Sequence, residues 1–167
     1  ESIAPFFCRT NKHQLGVPRA NEDHLVDVPV DRWEQQLFQK VLCTLSGEPF
    51  EMIIRLLQLS SDPRMLAEDL SAGDYADLFD GEVLAGAGKA LEGLQVDDRP
   101  TAKMVACLDL VESLVAQGKS VIVWCIFKRS IRNVVRELRE RGITARAISG
   151  STDMPSRARV IDSFKAG

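Results

Sequence analysis

Apolar positions along this chain follow two periods, and the change from one to the other marks its elements. Trp33, Leu37, Phe38, Val41, Leu42 and Leu45 recur at the spacing of one helix face, and Asp31 with Glu34 supplies an N-cap and its reciprocal acid. Phe50, Ile53, Ile54 and Leu57 predict a second apolar stripe that stops near Ser60-Ser-Asp-Pro63. Pro100-Thr101 opens a third helix with Met104, Cys107, Leu108, Val111, Leu114 and Val115 on its apolar face and Gly118 as its stop. A helix from Ser130 to Arg141, capped by Ser130, turns Ile131, Val134, Val135 and Leu138 inward and ends at Gly142. The last, Pro155 to Lys165, tolerates Pro155 in its first turn and is expected to bury Ala158, Ile161 and Phe164.

The shorter period predicts strands. Leu25 to Val30 alternates as a strand with one buried face, and Pro29 confines it to an edge or a terminus. Val121 to Phe127 is almost unbroken in apolar character, short and rich in β-branched residues, the pattern of a strand covered on both faces of a parallel sheet. Ile143 to Ile148 predicts its neighbour. Lys119 to Gly167 therefore reads as strand, helix, strand, loop, helix with a right-handed crossover, and the chain is organised around it. From Arg64 to Asp98 the text is acidic and rich in Gly and Ala, with short helical pieces near Met65 to Leu70, Tyr75 to Phe79 and Val83 to Leu91.

Composition narrows the class. With 167 residues and 45% hydrophobic content the chain can bury a core. It has no apolar run of the roughly 18 residues that a membrane span needs. Glu1-Ser-Ile-Ala-Pro lacks the order of a signal peptide, so an intracellular protein is expected, cytoplasmic in a bacterium and nuclear in a eukaryote. Cys8, Cys43, Cys107 and Cys125 lie far apart with no CxxC pair, and neither His13 nor His24 is in register with them. Free structural thiols are expected, with no zinc site and no disulfide framework.

Charge sharpens the picture. Residues 1–118 hold 10 Lys/Arg against 20 Asp/Glu, whereas residues 119–167 hold 11 against 4. So sharp a change of sign points to an anionic partner for the basic part, although Arg132, Arg136, Arg139 and Arg141 also make an ordinary solvated helix face. In a parallel sheet, ligands approach the carboxyl ends of the strands. Two loops stand there, Phe127-Lys-Arg-Ser130 and Ser149-Gly-Ser-Thr152, and both offer small or hydroxyl residues and backbone N–H groups beside a helix start. A capping role for Ser130 and a plain turn at 149–152 account for the same residues equally well. Gly86-Ala-Gly-Lys89-Ala90 is not a phosphate loop, because the first glycine would fall on Val83 and Ala90 has no hydroxyl for magnesium.

From Thr101 to Gly167 the sequence resembles the start of the second RecA-like lobe of the Swi/Snf-type ATPases, relatives of the DEAD/DEAH-box helicases. The resemblance is carried by Ala102-Lys-Met, Gly118 to Cys125, Phe127, Leu138, Gly142-Ile143, Ile148 to Thr152, Arg157 and Ile161-Asp-Ser-Phe164. Pro5 to Lys12, Val17-Pro18 and Arg55 to Leu66 match other segments of that family in the right order. Thr10 and Ser61-Asp62 depart from it, and neither a phosphate loop nor an Asp-Glu dipeptide is present.

The resemblance implies an α/β fold: a partial RecA-like, P-loop NTPase-type parallel sheet in the C-terminal part, preceded by a mainly helical connector. Residues 1–30 would be the tail of the first lobe, 31–99 the connector with a variable insertion, and 100–167 the first half of the second lobe. It further implies part of an ATP-dependent DNA translocase, with ATP and magnesium bound by the parent protein and none by this fragment. The parent would be a DNA-dependent ATP hydrolase and the fragment inactive, with no catalytic residue of its own. Its partners would be double-stranded DNA, held by its backbone, and the rest of the motor, with no membrane. Lys128, Arg129, Ser149, Gly150, Ser151 and Thr152 would be the phosphate contacts, with Arg157 assisting or pairing with Asp153. Two other readings compete with the motor: a non-catalytic interaction module on the same kind of α/β scaffold, and a small Rossmann-like domain, the latter disfavoured by the absence of G-x-G-x-x-G.

Overall fold

The structure, a computed structural model, describes residues 22–67 and 99–166. Its elements in chain order are α1 (Arg32–Thr44), α2 (Pro49–Ser61), a 3-10 turn (Pro63–Ala67), α3 (Ala102–Ala116), α4 (Lys128–Glu140) and α5 (Met154–Ala166). The helices expected near 75–79 and 83–91, the Pro5 to Lys12 signature and Cys8 lie outside the described residues.

Two apolar clusters organise the described residues. In the first, α1 gives Val41 and Leu45, α2 gives Leu59 and the 3-10 turn gives Leu66; Leu37, Phe38, Met52 and Leu56 pack around them. Each fully buried Leu or Val is worth roughly 1.5–3 kcal/mol relative to an exposed one. This helix pair turns a different side of α2 inward from the one its stripe predicts. Phe50, Ile53 and Leu57 are exposed, while Glu51, Ile54, Arg55, Gln58 and Leu59 are buried. Apolar residues surround α2 almost completely, so hydrophobicity alone leaves its rotation open; α1 and the 3-10 turn take the Met52, Leu56 and Leu59 side.

The second cluster joins Leu108 and Val111 of α3 to Val134 and Leu138 of α4, with Met104, Cys107, Val121, Val123, Cys125, Ile143 and Ala145 against it. Both helices end alike. Gly118 and Gly142 take φ of 74° and 77°, a region that glycine enters without a Cβ penalty. At α3, Gly118 N–H bonds Val115 O and Lys119 N–H bonds Leu114 O; at α4, Gly142 N–H bonds Arg139 O and Ile143 N–H bonds Leu138 O. These paired bonds are Schellman motifs, and they satisfy carbonyls the helices leave over.

The expected α/β fold is not formed. No residue among those described belongs to a β-strand, so there is no parallel sheet, RecA-like or Rossmann-like. Residues 121–126 are extended, with Val121, Val123 and Cys125 resting on the second cluster. Their other face, Ile122, Trp124 and Ile126, is 62%, 91% and 74% exposed. Among the described residues the apolar run therefore has one covered face rather than two, since none of them forms a second layer over it. Residues 143–148 lie similarly, with Ile143 and Ala145 inward and Ile148 exposed. Leu25 to Val30 is extended, with Leu25 94% exposed, and forms no half-buried strand. Helix α5 buries none of its residues, so Ala158, Ile161 and Phe164 do not enter a core.

Polar contacts join the two clusters. Glu34, buried in the first turn of α1, accepts from Asp31 N–H at 3.3 Å and from Ala102 N–H, at the start of α3, at 3.1 Å. One carboxylate thus serves two helix N-termini, where negative charge is stabilised. Thr101 caps α3 by accepting from Met104 N–H at 3.1 Å, and the Arg99 guanidinium lies 5.1 Å from the centre of the Trp33 ring. Asp62 makes the other junction, described below with the basic surface.

Candidate nucleic-acid interface

Lys128, Arg129 and Ser130 do not form a loop. They are the first turn of α4, whose N-cap is the buried Phe127. Ser130 consequently does not cap the helix; it is 4% exposed, and its hydroxyl has no hydrogen-bond partner among the described residues. Lys128 is exposed beside the helix N-terminus.

Arg129 faces the first cluster. Its Nε lies 3.2 Å from Oδ2 of Asp62, and Asn133 donates to the same oxygen. Arg64 completes the arrangement, its backbone N–H and Nε donating to Oδ1 at 3.1 and 2.8 Å and its Nη2 to Oδ2 at 3.2 Å. Asp62 is 3% exposed, so these donors take the place of water around a buried charge. Nearby, Arg55 is fully buried, donating to Gln58 at 3.1 Å and to Met65 O at 3.5 Å, with Glu51 at 3.7 Å. Burial pushes the Glu51 carboxyl above its ordinary value, and the Arg55 charge opposes that shift.

After α4 the chain runs back along the helix. Ile143 bonds Leu138, Ala145 O accepts from Arg139 Nε and Nη2 at 3.2 and 2.9 Å, and Ala147 shares a groove with Arg132 and Val135. The turn at 149–152 thus lies towards the end of α4 that carries Lys128 and Arg129. It is internally braced: Thr152 Oγ1 accepts from Ser149 N–H at 2.9 Å, the Ser149 and Ser151 hydroxyls are 2.9 Å apart, and Arg157 Nη2 donates to Ser149 O at 3.2 Å. Arg157 therefore braces the turn and does not pair with Asp153. Asp153 accepts from Ser156 N–H at 3.3 Å, and the hydrogen bonding from Ser156 holds its carboxyl below the usual value. Gly150 and Ser151 are exposed.

The remaining arginines divide into two groups. Arg141 bridges to Asp109 at 2.7 Å and Glu112 at 3.0 Å, which ties α4 to α3 and holds its guanidinium charged above its usual value. Arg132, Arg136 and Arg139 share one face of α4 with Arg146 close by, a line that the i, i+4, i+7 spacing of the sequence already signals. Asp62, Glu34 and Asn133 went unrecognised as junctions, because contacts spanning some 70 residues leave no local pattern.

Cys107 and Cys125 are free, half-buried thiols pushed up by burial, and Cys43 is free and exposed. Among the described residues no group of three or more His, Cys, Asp or Glu comes together to hold a metal ion. No helix among the described residues is long and apolar enough to cross a membrane.

The chain is 24% identical over 195 residues to Protein CHROMATIN REMODELING 24 of Arabidopsis thaliana, a match that covers 100% of this chain and 18% of that relative. No family model matches it. No solved structure matches it either. A partial similarity to a Swi/Snf-type remodeler therefore exists, but the second-lobe reading drawn from it fails, because a RecA-like lobe is built on a sheet and the described residues contain none. The translocase assignment falls with that scaffold, as do the alternatives of an interaction module on the same fold and a Rossmann-like domain. So do the helicase and ATP-binding descriptions, which need a sheet and a nucleotide site.

Proposed function

We propose that this chain is a helical segment that rests on the phosphate backbone of double-stranded DNA without reading its sequence, within a longer chromatin-associated protein. The observation that carries this is the excess of positive charge after residue 118, 11 Lys/Arg against 4 Asp/Glu. Within that stretch Glu137 and Glu140 are already taken by Arg136, and Asp153 by the start of α5. Lys128 and Arg129 in the first turn of α4, and Ser149, Gly150, Ser151 and Thr152 before α5, offer cations, hydroxyls and backbone N–H groups within this basic stretch. Such groups suit phosphates, and backbone contacts position a protein without selecting bases. The chromatin setting is suggested by the name of the relative, and it would place the protein inside the cell, in the nucleus of a eukaryote.

Of the two cations, Lys128 is the more exposed, and Arg129 anchors Asp62. In a gel-shift titration with duplex DNA, Lys128→Ala combined with Ser151→Ala is expected to weaken binding several-fold while the helical circular-dichroism signal stays unchanged. Binding of equal strength in the folded double variant contradicts the proposal.

A further inference from the structure

Two depressions on the basic unit are continuous through Arg139. One, of about 590 Å³, is lined by Arg132, Val135, Arg136, Arg139, Glu140 and Ala147. The other, of about 490 Å³, follows the return segment from Gly142 to Arg146. Together they form a groove between α4 and residues 142–147, with an apolar floor at Val135 and Ala147 and a rim of guanidinium groups.

The rim arginines differ in how they are held. Arg139 is fixed by its two bonds to Ala145 O, which leaves its other N–H donors directed elsewhere. Arg136 is 50% exposed and occupied by Glu137 at 2.8 Å and Glu140 at 3.8 Å. Arg132 and Arg146 are exposed and form no ion pair with any described residue. The groove therefore has a positioned arginine at its centre, a neutralised one beside it and two uncommitted ones.

We infer that this groove docks an acidic peptide segment of a partner protein, with carboxylates on Arg132, Arg139 and Arg146 and one apolar side chain over Val135 and Ala147. Charge complementarity selects an acidic occupant, and planar guanidinium forks match carboxylates bidentately. Two features favour a peptide over a nucleic-acid backbone. The floor is apolar, which an apolar side chain can cover and a phosphate chain cannot. Glu140, 3.8 Å from Arg136, leaves that part of the wall without net positive charge for a continuous polyanion, whereas a peptide can set a neutral residue opposite it. This inference stands apart from the DNA reading, which uses the first turn of α4 and the turn at 149–152.

The test is fluorescence anisotropy on the whole chain with three labelled probes: a peptide alternating Asp or Glu with Leu or Phe, polyglutamate of equal charge, and a duplex oligonucleotide. The acidic-apolar peptide is expected to bind most tightly of the two peptides. Arg132→Ala with Arg146→Ala should weaken it at least about fivefold, as expected for two exposed charge pairs. The same variant should weaken duplex DNA less than it weakens the peptide, and Lys128→Ala should leave the peptide unaffected. Both arginines are exposed, so circular dichroism of the variant is expected to match the parent. Polyglutamate binding as tightly as the alternating peptide would show attraction by charge alone and overturn the groove. So would an unchanged peptide affinity in the arginine variant, or a larger loss for DNA than for peptide.

Discussion

The two apolar clusters treat charge in opposite ways. Around α1, α2 and the 3-10 turn, charged side chains are taken inside: Glu34, Arg55 and Asp62 are all 3% exposed or less, each surrounded by named donors or acceptors. Around α3 and α4 the interior is aliphatic, and the charges of Lys128, Arg132 and Arg146 stay on the surface. A buried charge must be matched by fixed partners and is spent on architecture. An exposed charge costs little to keep. The proposed recognition of an anion therefore falls to the second cluster, and the first holds the start of α4 through Asp62.

Breaking that junction should have the largest effect. Asp62→Ala leaves Arg129 and Arg64 without their shared carboxylate and Asn133 without its acceptor, and is expected to cost about 3–5 kcal/mol, the usual loss when one member of a buried pair is removed. Urea denaturation measures it, and a loss below about 1 kcal/mol would make the junction incidental. Leu108→Ala, at the centre of the second cluster, should cost about 2–5 kcal/mol in the same assay. If the clusters are as separate as their cores suggest, its loss should appear first in hydrogen exchange of α4 and only later in α1.

Smaller effects sharpen the contrast. Glu34→Gln keeps the shape but weakens acceptance from Asp31 and Ala102, and should cost about 1–2 kcal/mol. Gly142→Ala places a Cβ at φ of 77°, with open space around it, so only backbone strain is expected, about 1 kcal/mol. The slightest effect concerns Asp153. Its folded carboxyl lies below the ordinary 3.8, so it stabilises the start of α5 at neutral pH, and that contribution disappears as pH falls through the lowered value. Exchange of the Ser156 amide should quicken there in the parent and not in Asp153→Asn.

Much of the helical framework was legible in sequence, and the reasons are local. The N-cap at Asp31 with Glu34, and the glycine stops at Gly118 and Gly142, act within one helical turn and appear in the structure as read. What failed depended on neighbours. Val121 to Phe127 has the composition of a doubly covered strand, yet composition cannot supply the second layer that would cover Trp124. The apolar girdle of α2 left its rotation undetermined, and the buried Arg55 side prevailed. At the basic surface, the arginine spacing announced a charged helix face, but the groove became visible only when the return segment at 142–147 was placed beside it. The role of Asp62 was invisible, because its partners at Arg129 and Asn133 are far along the chain.

The central claim is that exposed cations at one end of α4 meet DNA phosphates without regard to sequence. The most direct measurement is the salt dependence of affinity for two unrelated duplexes, in the parent chain and in Lys128→Ala. Each phosphate contact contributes about 0.9 to the slope of log affinity against log salt. The slope should therefore be the same for both duplexes and fall by about that amount in the variant. A slope unchanged by Lys128→Ala, or an affinity that depends on which duplex is used, would contradict the account.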